Sequence, residues 1–273
     1  MVKKITIFII NFFLVICIFL LSGLLIFSNT ILNKQYMIGL LEKNNYYEKV
    51  YYSIEDGFKN YIMQSGLDES ILDNLYEKEK VTEDINMVVS AIYDGTSINV
   101  DVSSIVKKLD NRINYILEQN NRVPEKQERE EIKIFEDAIA TTYVDEITYS
   151  AESIKEISNV LTKIQLLLPN IKIALIGLIV VLLAFIIVIS RSILKTINTI
   201  GIMLLTVGVI DIAIKLLIKD RVHNILILNS AFSMNVIDLI NSILNSFFKL
   251  GIISVSIGAV LIIISSFIKR KNI

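Results

Sequence analysis

Asp211 and Lys215 are the residues of this chain whose type and setting most invite chemistry. They stand four apart in a stretch that is otherwise apolar. That spacing puts both on one face of a helix, where opposite charges can pair. Ionisable residues inside a membrane span are functional candidates by default, because charge in hydrocarbon is expensive. Two readings follow. One is a structural pair, with Lys215 reaching the interface along its apolar stem; the other is part of a polar pathway or relay. His223 is the only histidine. With Asp220 or Asp238 it forms the one acid–base set near an interface. A metal site needs several ligands and no second histidine exists, so an interfacial histidine is expected. Cys17 is the only cysteine, which excludes an intrachain disulfide and a cysteine metal site. Ile16 precedes it where a bacterial lipid-attachment signal has a small residue, so a packing or lipid-facing thiol is expected.

Other constellations are bland. Asp94 and Asp101 with nearby carbonyls suggest a calcium loop, but the EF-hand spacing is absent. The charged run 125–133 opens a helix, where acids are favourable, and reads as a solvated face. There is no phosphate-binding Gly-rich loop, no Gly-x-Ser-x-Gly, no His-Glu-x-x-His and no cysteine pair. The expectation is a protein that is not an enzyme and holds no cofactor or metal.

The elements that must position these residues are set by composition. Of 273 residues 53% are hydrophobic, the mean hydropathy is +0.59 and the formal charge is −1. Soluble chains are about 45–50% apolar with the apolar residues dispersed; here they form long blocks, and a spanning helix needs about 20. The predicted spans are 5–28, 171–190, 196–217 and 250–268. The first carries no charge and lacks an Ala-x-Ala pattern after it, which favours an uncleaved anchor over a cleaved signal peptide. The second and third are joined by the tight turn 191–195.

Basic residues near span ends set orientation. Lys3, Lys4, Arg191, Lys195, Lys269, Arg270 and Lys271 share one side. The segment 29–170, on the other side, has 15 Lys and Arg against 25 Asp and Glu, a net charge of −10. Both termini are therefore expected in the cytoplasm of a cell-membrane, multi-pass protein, as the tails 1–4 and 269–273. Segments 29–170 and 218–249 are expected outside. An acidic outer surface argues against nucleic-acid binding.

Segment 29–170 reads as helices. Apolar and aromatic residues from Tyr36 to Ile62 recur at three and four, one stripe that continues the first span outward. Gly66 breaks it. Asp68 caps a helix bearing Ile71, Leu72 and Leu75. Thr82 caps another, with Glu83 and Asp84 in its first turn. Asp94-Gly95 marks a turn, and Ile98, Val100 and Val102 alternate in an extended stretch. Ser103 or Ser104 then caps a helix carrying Ile105, Leu109 and Ile113. After the loop 120–124, one long amphipathic helix runs down to Pro169, the junction with the second span. The segment 222–248 predicts an amphipathic helix lying on the membrane, with a re-entrant hairpin as the alternative.

The stretch 81–113 (VTEDINMVVSAIYDGTSINVDVSSIVKKLDNRI) and the Tyr-rich 45–52 resemble a pattern in uncharacterised bacterial four-span membrane proteins with a helical extracellular domain between the first and second spans. That resemblance implies an all-α membrane protein of this architecture and transfers no activity. One span, a large outer domain and three further spans also resemble mechanotransmission-type permeases that work with an ATPase. Those carry cytoplasmic elements where this chain has four and five residues. The leading expectation is an envelope interaction or sensing protein, anchored in the lipid bilayer and meeting a protein partner or a second copy through its acidic domain. The alternative is a membrane subunit of a transport complex.

Overall fold

The computed structural model describes residues 2–65, 68–148, 151–225 and 231–271, with side chains over 5–63, 68–148, 158–218 and 237–269. The described residues are helical, joined by turns and one extended segment, and none lies in a strand. The helices are α1 (Val2–Asn29), α2 (Lys34–Lys43), α3 (Tyr46–Ser65), α4 (Lys78–Asp94), α5 (Ser103–Gln119), α6 (Lys126–Thr148), α7 (Ala151–Ser190), α8 (Ile193–Ile225) and α9 (Ala231–Lys271), with a 3₁₀ turn at Glu69–Leu72. Four stretches are long and apolar enough to cross a membrane: Ile5–Asn29, Ser158–Ser190, Ile193–Ile218 and Ile237–Lys269. The chain divides into an apolar unit, Met1–Met37 with Ile164–Ile273, and a charged bundle, Ile38–Lys163.

In the apolar unit α8 and α9 are welded by glycine. A Cβ on Gly208 would lie 2.6 Å from the Gly251 carbonyl oxygen, and one on Gly251 would lie 2.7 Å from that of Gly208. Gly201 and Gly258 repeat the arrangement at 2.9 and 2.6 Å. Each step of seven along α8 meets seven back along α9, so the hairpin is antiparallel and in register. Small residues allow such backbone approach, which is how helices adhere where there is no hydrophobic drive between them. Ser265, buried on α9, has its hydroxyl 2.9 Å from Ile262 O and 3.2 Å from Asn198 Oδ1 of α8. Leu14, Ile186 and Met203 join α1, α7 and α8 in a small core.

The bundle has its own core. Val50, Ile54, Phe58 and Ile62 descend one face of α3 at intervals of four. They meet Val81, Ile85 and Val88 of α4, Ile105, Leu109 and Ile113 of α5, and Ile139, Tyr143 and Ile147 of α6. Tyr76 sits at its aromatic centre, with ring centroids 5.1 Å from Tyr51, 5.4 Å from Phe58 and 5.9 Å from Tyr143. Edge-to-face and tilted pairs of this kind add to the burial itself.

Several element ends differ from the sequence reading. The stripe after the first span is not one helix. α1 stops at Asn29, Asn33 Oδ1 accepts from Tyr36 N at 3.1 Å to start α2, and Asn45 at φ 52° separates α2 from α3. Asparagine tolerates that left-handed conformation. Asp68 caps as expected, accepting from Ser70 N at 2.9 Å, but only a 3₁₀ turn follows. Gly66 lies outside the described residues. Thr82 is no cap: α4 begins at Lys78, and the Thr82 hydroxyl donates back to Lys78 O at 3.0 Å. Asp84 is accordingly buried rather than in the first turn. Gly95, at φ 68°, closes α4 as the turn signal indicates. Ser103 begins α5 instead of capping it, and Asp101 accepts its amide at 2.9 Å.

The long helix expected to end at Pro169 is divided between α6 and α7, at residues 149 and 150, which lie outside the described residues. Pro169 lies inside α7, so no element ends at 170. Likewise no element ends at 217 or 249. α8 continues to Ile225, and the polar residues of 231–249 share one helix with the apolar run that follows. Over the described part, residues 231–248 form no separate helix but the start of α9. Leu244 and Phe247 are buried, and Ser242 meets the Tyr36 hydroxyl.

Two outcomes test this packing. Gly208→Ala and Gly258→Ala should each lower the thermal midpoint of the full chain in detergent by roughly 2–10 °C, the effect of overpacking a tight contact. Gly177→Ala, whose added Cβ meets nothing within 4 Å, should leave it unchanged. Separately, the segment 38–163 expressed alone should be soluble and melt cooperatively by circular dichroism, with Phe58→Ala, buried completely, costing about 3–5 kcal/mol.

Candidate functional site

Asp211 is fully enclosed, with 0% of its surface exposed. It lies one turn beyond Gly208, where the α8–α9 contact is tightest, and α1 brings Ser22 beside it. Yet neither carboxylate oxygen has a hydrogen bond of acceptable geometry. The Ser22 hydroxyl is close enough to act on it but donates instead to Phe19 O at 2.8 Å. A hydroxyl proton committed to a carbonyl is not available to the carboxylate.

Lys215 is not its partner. The Lys215 ammonium lies 4.2 Å from the centroid of the Phe248 ring on α9, a cation–π contact. The shared helix face is real, but the pair is not made. The lysine is turned to an aromatic face on α9, and the aspartate is turned inward. His223 falls within α8, but its side chain, with that of Asp220, lies outside the described residues. Cys17 is a buried thiol on α1, in keeping with a packing role.

The bundle treats a buried aspartate differently. Asp84, 5% exposed, accepts from the Tyr143 hydroxyl at 2.8 Å and from Lys80 Nζ at 2.7 Å. Tyr143 is itself fully buried, and its phenol pKa is pushed far up by burial and by the Asp84 carboxylate. This site is a satisfied lock between α4 and α6. Its chemistry is spent on holding the fold.

Hollows open on the bundle surface. One, of about 470 Å³, has an apolar floor of Ile71, Ile113, Leu117, Ile132 and Phe135, and a rim on which Arg122 pairs with Glu128. Another, of about 760 Å³, is lined by Asp101, Lys107, Asp110 and Glu136 among others. Glu136 Oε1 is enclosed without a hydrogen-bond partner. Burial, then the charges of Asp110 and Asp137, hold its pKa above the ordinary carboxylate value, with Lys133 opposing. Among the described residues no group of three or more His, Cys, Asp or Glu side chains could hold a metal ion.

Sequence reasoning missed the unpaired state of Asp211, the Asp84–Tyr143 lock and the glycine contact. The last had a visible signal, two pairs of glycines each seven apart, at 201 and 208 and at 251 and 258.

The Glu136 environment gives a pH dependence. A raised folded-state pKa means the folded form prefers the protonated acid, so stability is lost as pH rises through that value. Glu136→Gln should therefore raise the thermal midpoint by roughly 1–3 °C at neutral pH, a figure already reduced for its partial exposure. The gain should vanish near about pH 3, where the native acid is neutral in both states. A scanning-calorimetry series against pH reads both arms.

No protein-family model, characterised protein or solved structure matches the chain.

Proposed function

We propose that this chain is a multi-pass cell-membrane protein with both termini in the cytoplasm, and that its acidic bundle stands outside the cell and meets a protein partner. On this reading it is an envelope interaction or sensing protein. One observation carries the reading. A bundle with a closed core of its own, spanning Ile38–Lys163, is inserted between the first and second apolar helices. A folded body of that size is more than a connection between two anchors requires. Its excess of carboxylates suits a solvated surface facing cationic or polar partners. Basic residues at the other helix ends, Arg191, Lys195 and Lys269, support the orientation.

A second reading, a membrane subunit of a transport complex, is favoured by one feature only, the enclosed carboxylate of Asp211. It would show itself as an ATPase or a second membrane subunit that co-purifies with the chain.

Accessibility and proximity labelling test the first reading. In a Cys17→Ser background, Tyr115→Cys places a thiol on an exposed bundle site and Ile193→Cys places one at the exposed start of α8. A membrane-impermeant maleimide applied to intact cells should label the first and spare the second. The opposite pattern would invert the topology. A photo-crosslinking residue at position 115 should then trap one defined envelope protein or a second copy of this chain. The product should be lost when 38–163 is replaced by a short linker, and a trap that gives only diffuse products would remove the reading.

A further inference from the structure

We propose that Asp211 is a proton-binding site within the apolar unit, its carboxyl carrying a proton in the packed state of α1, α8 and α9 and exchanging it with water when that packing opens.

An enclosed carboxylate without hydrogen bonds carries a large desolvation penalty, and such a group neutralises instead. A structural aspartate in this same protein is handled otherwise: Asp84 has two partners, a phenol and an ammonium. Asp211 has no hydrogen-bond partner at either oxygen, although it is the more completely buried of the two. A neutral carboxylic acid removes the charge that the surroundings leave unmatched.

The surrounding groups do not alter this. On α8 the described ionisable side chains are Lys195, four turns earlier, and Lys215, held over Phe248. On α1 the one ionisable side chain in the described span is Cys17, more than a turn from Ser22. On α9 they are Asp238, Lys249 and Lys269, and α7 adds Lys163 and Lys172 over its described side chains. None is a hydrogen-bond partner of Asp211.

The ligand is a proton rather than a metal cation. Hard cations take six or more oxygen ligands, and the site offers one carboxylate and one serine hydroxyl that is already committed. Release of the proton breaks only the O–H bond, leaves its electron pair on the carboxylate and passes the proton to a water molecule. The charge so formed needs water or a new partner, so release is linked to loosening of the packing around Asp211. The α8–α9 contact is backbone on backbone at Gly208 and Gly251, which leaves α1, bearing Ser22, as the element able to yield. A titratable group at such a place is what a proton-coupled or potential-sensing membrane protein needs. The proposal goes beyond the partner-binding reading of the bundle and does not depend on it.

The test uses the full chain in proteoliposomes and dicyclohexylcarbodiimide, an apolar carbodiimide that reacts with protonated carboxyls in the bilayer. Peptide mass spectrometry should place the adduct on Asp211, and labelling should fall as the pH is raised from about 5 to about 9. Asp211→Asn should abolish the adduct, and Asp211→Glu should restore it. A water-soluble carbodiimide should instead modify bundle carboxylates such as Glu118 and Glu130. An unlabelled Asp211 across that range, or labelling that does not change with pH, would overturn the proposal, as would an adduct confined to Asp238. Should Asp211→Asn prove unstable, the pH profile of the native chain still decides.

Discussion

The backbone contact between α8 and α9 is the constraint on which the apolar unit depends. Inside a bilayer every backbone group must be satisfied within the protein, and apolar side chains gain little by leaving lipid for one another. What remains is close packing, and four glycines supply it. Because the added Cβ would meet a backbone carbonyl oxygen at each of these glycines, besides side chains such as Ile262 and Val255, a rotamer change alone does not relieve a larger residue. The hairpin therefore offers a fixed surface, and the other apolar helices pack on it through ordinary side chains such as Leu14, Ile186 and Met203.

The bundle achieves rigidity by the opposite means. Its helices are held apart by large side chains, and Tyr76 and Phe58 fill the space that glycine closes elsewhere. Gly57 is the local exception, with the Thr142 methyl 2.9 Å from where its Cβ would stand. The two buried aspartates follow the same division. In the bundle, polar neighbours are abundant and Asp84 is matched on both oxygens. In the apolar unit they are scarce, and Asp211 is matched on neither.

The four apolar stretches were legible because a charge-free block of 20 residues has few alternatives. Core positions such as Ile71, Leu75, Leu109 and Ile113 were legible from their spacing. Element ends were less so, for reasons that lie in single side chains. Asn45 reads as one more polar residue on a stripe until its backbone turns left-handed. Thr82 offers a hydroxyl that serves equally as a cap or as a back-bond to Lys78. The charged cluster at 219–221 marks the end of a hydrophobic count without marking the end of a helix, so α8 outruns the predicted span. Pairing was the least legible. Spacing places Asp211 and Lys215 on one face, but which neighbour each meets depends on α1 and α9, which lie far away in sequence.

The glycine contact has a consequence for how such a chain can diverge. Exposed apolar residues of such helices can exchange among Ile, Leu, Val and Phe with little effect, so much of the apolar unit is free to drift until similarity is lost. Side-chain volume at 201, 208, 251 and 258 has no such freedom. Two glycine steps of seven, run in opposite directions on consecutive helices with an acid three residues past the second glycine, form a fingerprint of eleven residues on one helix and eight on the next. A distant relative would keep that fingerprint after the rest of the sequence had ceased to be recognisable.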